Sequence, residues 1–202
     1  LPEGNIEPDI RLLQLQIAVG NQKAFSDLYA RFSKRLLAFS HSLVHAHEIA
    51  EEVVEDVFVG IWGRREEIAK IDNLAVYLYV AVKNRSLNRL SEKAKSLITQ
   101  PYDLLEPQIE ALNEDPHSIM VTAEMLARMN SAIENLPPRC KMIFKLIRED
   151  SLRYKEVAEI LNISVNTIDA QMAIAVKRIS EALGIKKFEA KTLRKQISKG
   201  NN

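Results

Sequence analysis

Apolar side chains recur at three- and four-residue steps along most of residues 11–98 and 120–184, the period of helices that bury one face. In the first stretch Ala24, Leu28, Tyr29 and Phe32 form one stripe, and Leu36, Leu37, Phe39, Leu43 and Val44 form the next, with Lys34 and Arg35 between them. Ile49, Val53, Val57 and Ile61, joined by Val54, Phe58 and Trp62, give a third helix a broad apolar face. A polar stretch from Gly63 to Asn73 separates it from a fourth helix, Leu74 to Leu90, on which Leu74, Leu78, Ala81 and Val82 turn inward. Helices joined by such short connections predict a bundle.

The second stretch opens with an amphipathic piece from about Met120 to Leu136 and then Pro137-Pro138, a start signal for a helix over Arg139 to Arg148 with Ile143, Phe144 and Ile147 inward. In YKEVAEILNISVNTIDAQMAIAVKR, Val157, Ala158 and Leu161 make a short stripe, Asn162-Ile163-Ser164 interrupts it, and Val165, Ile168, Met172, Val176 and Ile179 restart it. Asn162 tolerates the left-handed backbone of a sharp turn, and Ser164 can cap the next helix by accepting from a free amide. Two such helices must share one core and cross, leaving the far face of the second free to enter a DNA major groove. Gly184 is placed to end that helix. The expected fold is all-α: a helical bundle over residues 11–98, an acidic flexible linker over 99–119, a four-helix helix-turn-helix domain over 120–184, and a basic tail over 185–202.

Charge sharpens this division. Residues 1–98 carry 13 basic and 13 acidic side chains, residues 99–130 carry 1 and 6, and residues 131–202 carry 14 and 8. A balanced head, an acidic middle with Pro101, Pro107 and Pro116, and a basic end suit three different roles. Cys140 is the single cysteine, so a disulfide framework and a cysteine-based metal site are excluded, and a reducing cytoplasm is the expected location. No apolar run has the length of a membrane span, and the first residues, LPEGNIEPDI, are acidic rather than a secretory leader.

Four groups of residues could carry chemistry. Glu48, Glu51, Glu52, Glu55 and Asp56 lie opposite the apolar face of the third helix; like charges at this spacing cost stability unless a partner compensates, although a solvated face is the plainer reading. On the fourth helix Lys83, Asn84, Asn88 and Arg89 join amides to cations, which suits base edges and phosphates, and Tyr77 and Tyr79 could stack on unpaired bases or simply pack. His41 and His45 are one turn apart with His47 close behind, yet no third ligand motif accompanies them, so surface or core histidines are expected and no metal or cofactor. Along the second helix of the helix-turn-helix, Asn166, Thr167, Asp169, Ala170, Gln171, Ile174, Lys177 and Arg178 lie off the buried stripe, and Asn and Gln can pair with adenine. No phosphate-cradling glycine loop or catalytic triad motif occurs, so the expected protein is not an enzyme.

Taken in series, GNQKAFSDLYARFSKRLLAF, IAEEVVEDVFVGIW, YLYVAVKNRSLNRL and LPPRCKMIF…YKEVAEILNISVNTI resemble a bacterial RNA polymerase sigma factor of the extracytoplasmic-function type, over about residues 18–183. The resemblance implies that Glu51, Glu52, Val54, Glu55, Asp56 and Phe58 bind core RNA polymerase. It further implies that the loop Gly63 to Asn73 and the fourth helix capture the melted minus-ten strand, through Tyr77, Lys83, Asn84, Asn88 and Arg89. The minus-thirty-five duplex would fall to Arg139, Lys155, Ser164, Asn166, Thr167, Asp169, Gln171, Lys177 and Arg178. An anti-sigma factor is an implied partner, and the free protein is expected to be a monomer without membrane insertion. Six positions depart from the family pattern: Asp169, Ala170, Gln171, Ala173 and Ile174 stand where basic or small polar residues are usual, and Val80 replaces an often basic one. A helix-turn-helix regulator that never docks on polymerase, and a metal-dependent enzyme built on His41 and His45, are the rival readings.

Overall fold

The computed structural model describes residues 10–98 and 120–184, and these form helices joined by short connections with no strand among them. The acidic stretch 99–119 and the basic tail 185–202 lie outside the described residues. The chain divides into two compact units, Leu1–Gln100 and Pro101–Asn202.

The first unit contains α1 (Ile10–Ala18), α2 (Gln22–Val44), α3 (His47–Gly63), α4 (Arg65–Ile68) and α5 (Leu74–Ile98). The two apolar stripes expected on separate helices belong to the single helix α2, because Lys34 and Arg35 are charged but carry no backbone signal that would break it. Two further elements were not legible as such: α1, and the one-turn α4 inside the polar stretch Gly63 to Asn73. Asn21 caps α2, its side chain accepting from the Ala24 amide at 3.1 Å, and Gly20 before it has a φ of +87° that an L side chain adopts only under strain. Leu28, Phe32, Leu36 and Phe39 from α2 are buried with Val53, Val57 and Ile61 from α3 and Leu74, Leu78 and Val82 from α5. Tyr29, by contrast, is exposed. Ser40 of α2 and Ser86 of α5 are both fully buried and satisfy each other at 2.9 Å, which fixes how α5 is rolled against α2.

The second unit contains α6 (Met120–Glu134), α7 (Pro138–Arg148), α8 (Tyr154–Leu161) and α9 (Val165–Ala182). Pro138 opens α7 where its missing N–H costs nothing. Ile143 and Ile147 are buried as expected, while Phe144 is half-buried against a cluster of Leu136, Cys140 and Ala175. Burial pushes the Cys140 thiol pKa up, so it stays protonated and donates to the Gln171 carbonyl at 3.2 Å. The α8–α9 turn forms as its residues dictate. Asn162 sits at φ 54° and ψ 52°, the Ile163 amide reaches back to the Ala158 carbonyl at 3.0 Å, and Ser164 accepts from the Thr167 amide at 3.1 Å. The stripe on α9 is narrower than expected: Ile168, Met172 and Ala175 are buried, Val176 and Ile179 half-buried, and Val165 exposed. Gly184, at φ +67°, follows the last turn and donates to the Glu181 carbonyl.

Glu134, the last residue of α6, lies where a helix end disfavours negative charge, and Lys141 and Lys145 of α7 compensate at 3.0 and 2.8 Å. The hydrogen bond from Lys145 holds its carboxyl below the ordinary value of 4.5, against partial burial, with Lys141 adding to the effect. The lowered folded pKa means that this link stabilises the unit above the unfolded carboxyl's pKa and is lost as pH falls through the folded one. Glu134→Gln is therefore expected to flatten the decline of the melting temperature between about pH 5 and about pH 3. A decline identical to that of the parent would remove the link from the account.

Candidate nucleic-acid and polymerase interfaces

The carboxylates of α3 divide by exposure and by partner. Glu51, Glu52 and Glu55 are exposed, each one turn from another, because Val53, Val54, Val57 and Phe58 take the opposite side of the helix into the core. Their repulsion is partly offset. His47 Nε2 lies 3.2 Å from Glu51, and Arg89 lies 3.6 Å from Glu52. Asp56 is only half-exposed and is held by α5: its Oδ2 accepts from Arg85 Nε at 3.1 Å and Arg89 Nη2 at 3.2 Å.

Three expectations need correction. Val54 and Phe58 are 3% and 2% exposed and face the core, Phe58 meeting Phe25 and Tyr29 edge to face, so neither can touch a partner of the folded unit. Tyr79 is equally enclosed against Phe39 and cannot stack on a base. Asp56 and Arg89 are spent partly on each other, so neither is an open contact as α3 and α5 now lie. The apolar residue that α3 does present is Val59, 71% exposed and one turn beyond Glu55. The step from Glu51 to Glu55 to Val59 was readable in the sequence as one stripe.

A groove between α3 and α5 gathers most of the strand-side residues. Asp56, Gly60, Arg64, Tyr77, Asn84, Arg85, Asn88 and Arg89 all line it. Tyr77, Asn84 and Asn88 fall at seven- and four-residue steps on the exposed side of α5. Lys83 is half-buried and does not line the groove. Arg64 and Arg85 join the groove without a local sequence signal, Arg64 because it caps the end of α3 and Arg85 because its partner Asp56 lies on another helix. Two exposed amides and a phenol ring at the rim offer hydrogen bonds to base edges and a stacking face, and Arg64 offers charge for phosphates, while Arg85 and Arg89 are already paired with Asp56.

On α9 the expected duplex-reading residues are not equivalent. Ser164 and Thr167 are engaged with each other, their hydroxyls 2.8 Å apart, as parts of the cap. Asn166 and Ala170 are fully outward, and Asp169 and Gln171 flank them half-buried. Lys177 and Arg178 line a separate groove against α6, with Arg128, Ser131 and Asn135, and Lys177 lies 3.9 Å from Glu181. Arg139 and Lys155, on α7 and α8, are exposed. The free side of α9 near its N-terminus is thus small and weakly charged. His41, His45 and His47 are exposed, and the His41 and His47 rings lie 6.2 Å apart. Among the described residues no group of three or more His, Cys, Asp or Glu side chains is arranged to hold a metal. No described helix is long and apolar enough to cross a membrane.

Comparison with known proteins places both units. The Sigma-70 region 2 family model matches residues 28–96, and the Sigma-70, region 4 model matches residues 126–179. The ECF RNA polymerase sigma-E factor of Escherichia coli K12 is 23% identical over 168 residues, 80% of this chain and 87% of the relative. The ECF RNA polymerase sigma factor SigW of Bacillus subtilis is 23% identical over 165 residues, 78% and 87% of the two chains. Among solved structures, the Bartonella quintana sigma factor RpoE, in complex with the anti-sigma factor NepR, superposes with a TM-score of 0.59 at 19% identity, covering 82% of this chain and 99% of that one. CnrH, in complex with the cytosolic domain of CnrY, gives 0.50 at 21% identity over 88% and 98%. With regions 2 and 4 in order on two helical units and curated relatives along most of its length, the chain belongs to the sigma-70 family of RNA polymerase sigma factors, in its extracytoplasmic-function branch.

Proposed function

We propose that this sigma factor docks on core RNA polymerase through the outward carboxylates Glu51, Glu52 and Glu55 with Val59 beside them, and opens promoters through α5. Residues 11–98 serve polymerase docking and minus-ten strand capture, and residues 120–184 serve minus-thirty-five duplex binding. The observation that carries the reading is that one helical unit turns a carboxylate stripe outward on α3 and gathers Tyr77, Asn84 and Asn88 with guanidiniums on the adjoining groove. Asn84 would bind a base taken out of the stack. Unstacking costs a few kcal/mol, and contacts made only to the extruded base are what shift the equilibrium toward the open state.

The duplex contact rests on Asn166 and Gln171 of α9, supported by Arg139 and Lys155. With so few cations near the N-terminus of α9, binding to the upstream element should show a shallow salt dependence. The protein acts without catalysis or cofactor, in the cytoplasm, as a monomer when free. The complexes of its structural neighbours support an anti-sigma factor as a further partner.

Asn84→Ala tests the central step. It is expected to lower the open-complex fraction formed by holoenzyme by about tenfold, with duplex retention unchanged and, since Asn84 is exposed, with the melting temperature unchanged. Equal losses in duplex binding and opening would remove strand capture from α5. The rival reading, a regulator that acts without polymerase, predicts tight duplex binding by the free protein, and a mobility shift without core enzyme distinguishes it.

A further inference from the structure

The α4–α5 loop is held from outside by α1. A helix of one turn has few amides of its own to offer: the Ile68 carbonyl accepts from the Ile71 amide at 3.2 Å, which leaves its second lone pair for a side-chain donor. Gln14, 2% exposed, donates one amide N–H to the Ile68 carbonyl and one to the Ile71 carbonyl, each at 2.8 Å. Arg11 donates from Nη1 to the Ala69 carbonyl at 2.6 Å. Three carbonyls within four residues are thereby fixed by two side chains more than fifty residues away in sequence. The far end of the loop is fixed separately, where Asn73 Oδ1 accepts from the Val76 amide at 3.1 Å to begin α5.

Resting on the strand-capture reading, we infer that Gln14 and Arg11 are positioning residues for that step: they pre-shape residues 69–73 so that the loop meets the single strand beside α5 without first having to order. Neither side chain needs to reach DNA. A buried amide whose two N–H groups both end on loop carbonyls does more than fill space, because an apolar side chain at position 14 would pack against α4 equally well. If the loop lost its held conformation, strand affinity would drop in proportion to the fraction of molecules still competent. Polymerase docking on α3 would be untouched, since no α3 residue takes part in these bonds.

The test uses holoenzyme reconstituted with Gln14→Leu, with Arg11→Met, and with Asn84→Ala as reference. The probe is a single-stranded oligonucleotide enriched from a random pool on wild-type holoenzyme. Three quantities are read: affinity for that probe, affinity for core polymerase, and the rate of tryptic cleavage after the exposed Lys70. Gln14→Leu is expected to weaken probe binding by about tenfold and to speed cleavage after Lys70 by a similar factor, with core affinity unchanged. Arg11→Met, which removes an exposed guanidinium and keeps the apolar length of the side chain, is expected to move both quantities in the same direction by about threefold with the melting temperature little changed. Should Asn84→Ala weaken probe binding while Gln14→Leu and Arg11→Met leave both probe binding and cleavage alone, the positioning role is overturned and strand capture stands. Should none of the three variants affect the probe, strand capture falls and the role falls with it.

Discussion

Replacing Glu52 and Glu55 together by lysine is expected to abolish co-purification with core RNA polymerase, a loss of at least about a hundredfold in affinity. Both side chains are exposed, so neither contributes to the core, and Glu52 lies 3.6 Å from Arg89. Such surface contacts are worth little, and the melting temperature should shift by no more than about 2 °C. The effect on binding is larger because reversal does more than delete an attraction. It places like charge against a basic partner surface in a site that water leaves on docking. Wild-type docking should also weaken as ionic strength rises and the screening length shortens. Retention of full co-purification by the folded double variant would move the docking surface off α3. Val59→Ser offers a charge-neutral check, since it removes the apolar residue on the same stripe and leaves Glu51, Glu52 and Glu55 in place.

What the amino-acid pattern conveyed depended on how local the physics was. The helix-turn-helix was legible almost residue by residue, because Asn162 and Ser164 act within their own turn. Pro138 and Gly184 were legible for the same reason. The continuity of α2 was not, since a polar pair in mid-helix looks like a break when only side-chain polarity is read. The short α4 was not legible because what holds it, the burial of Ile68 and the bond from Gln14 to the Ile68 carbonyl, is formed with residues far away in sequence. Sites followed the same division. Glu51, Glu52 and Glu55 could be placed outward from helical period alone. Val54 and Phe58 were assigned to docking by family likeness against that very period, which had already put them on the apolar face. The pairing of Asp56 with Arg85 and Arg89 required knowing that α3 and α5 are neighbours.

Tyr77 and Tyr79 put this division to an experimental test, because two rings separated by one residue have opposite fates. On α5 a shift of two positions turns a side chain through about 200°, which takes Tyr79 into the core at 1% exposure and leaves Tyr77 at the groove rim with 37%. Tyr79 meets Phe39 edge to face at 5.2 Å between centroids, in a core closed by Leu78 and Val82. Truncating it to alanine removes a large buried ring and leaves a cavity that helices on both sides can only partly close, so Tyr79→Ala is expected to cost about 3–5 kcal/mol. For a unit of this size that lowers the melting temperature by more than about 12 °C. Tyr77→Ala trims a ring that already stands 37% exposed at the groove rim, so its melting temperature should fall far less than that of Tyr79→Ala. Its holoenzyme should nonetheless bind single-stranded promoter DNA about tenfold more weakly, the worth of one base–ring stack. Thermal melts of both variants alongside strand binding by the stable one separate the two roles. If Tyr77→Ala melted early, or bound the strand as well as the parent, the ring at the groove rim would be packing and nothing more, and base contact by α5 would rest on its amides and guanidiniums alone.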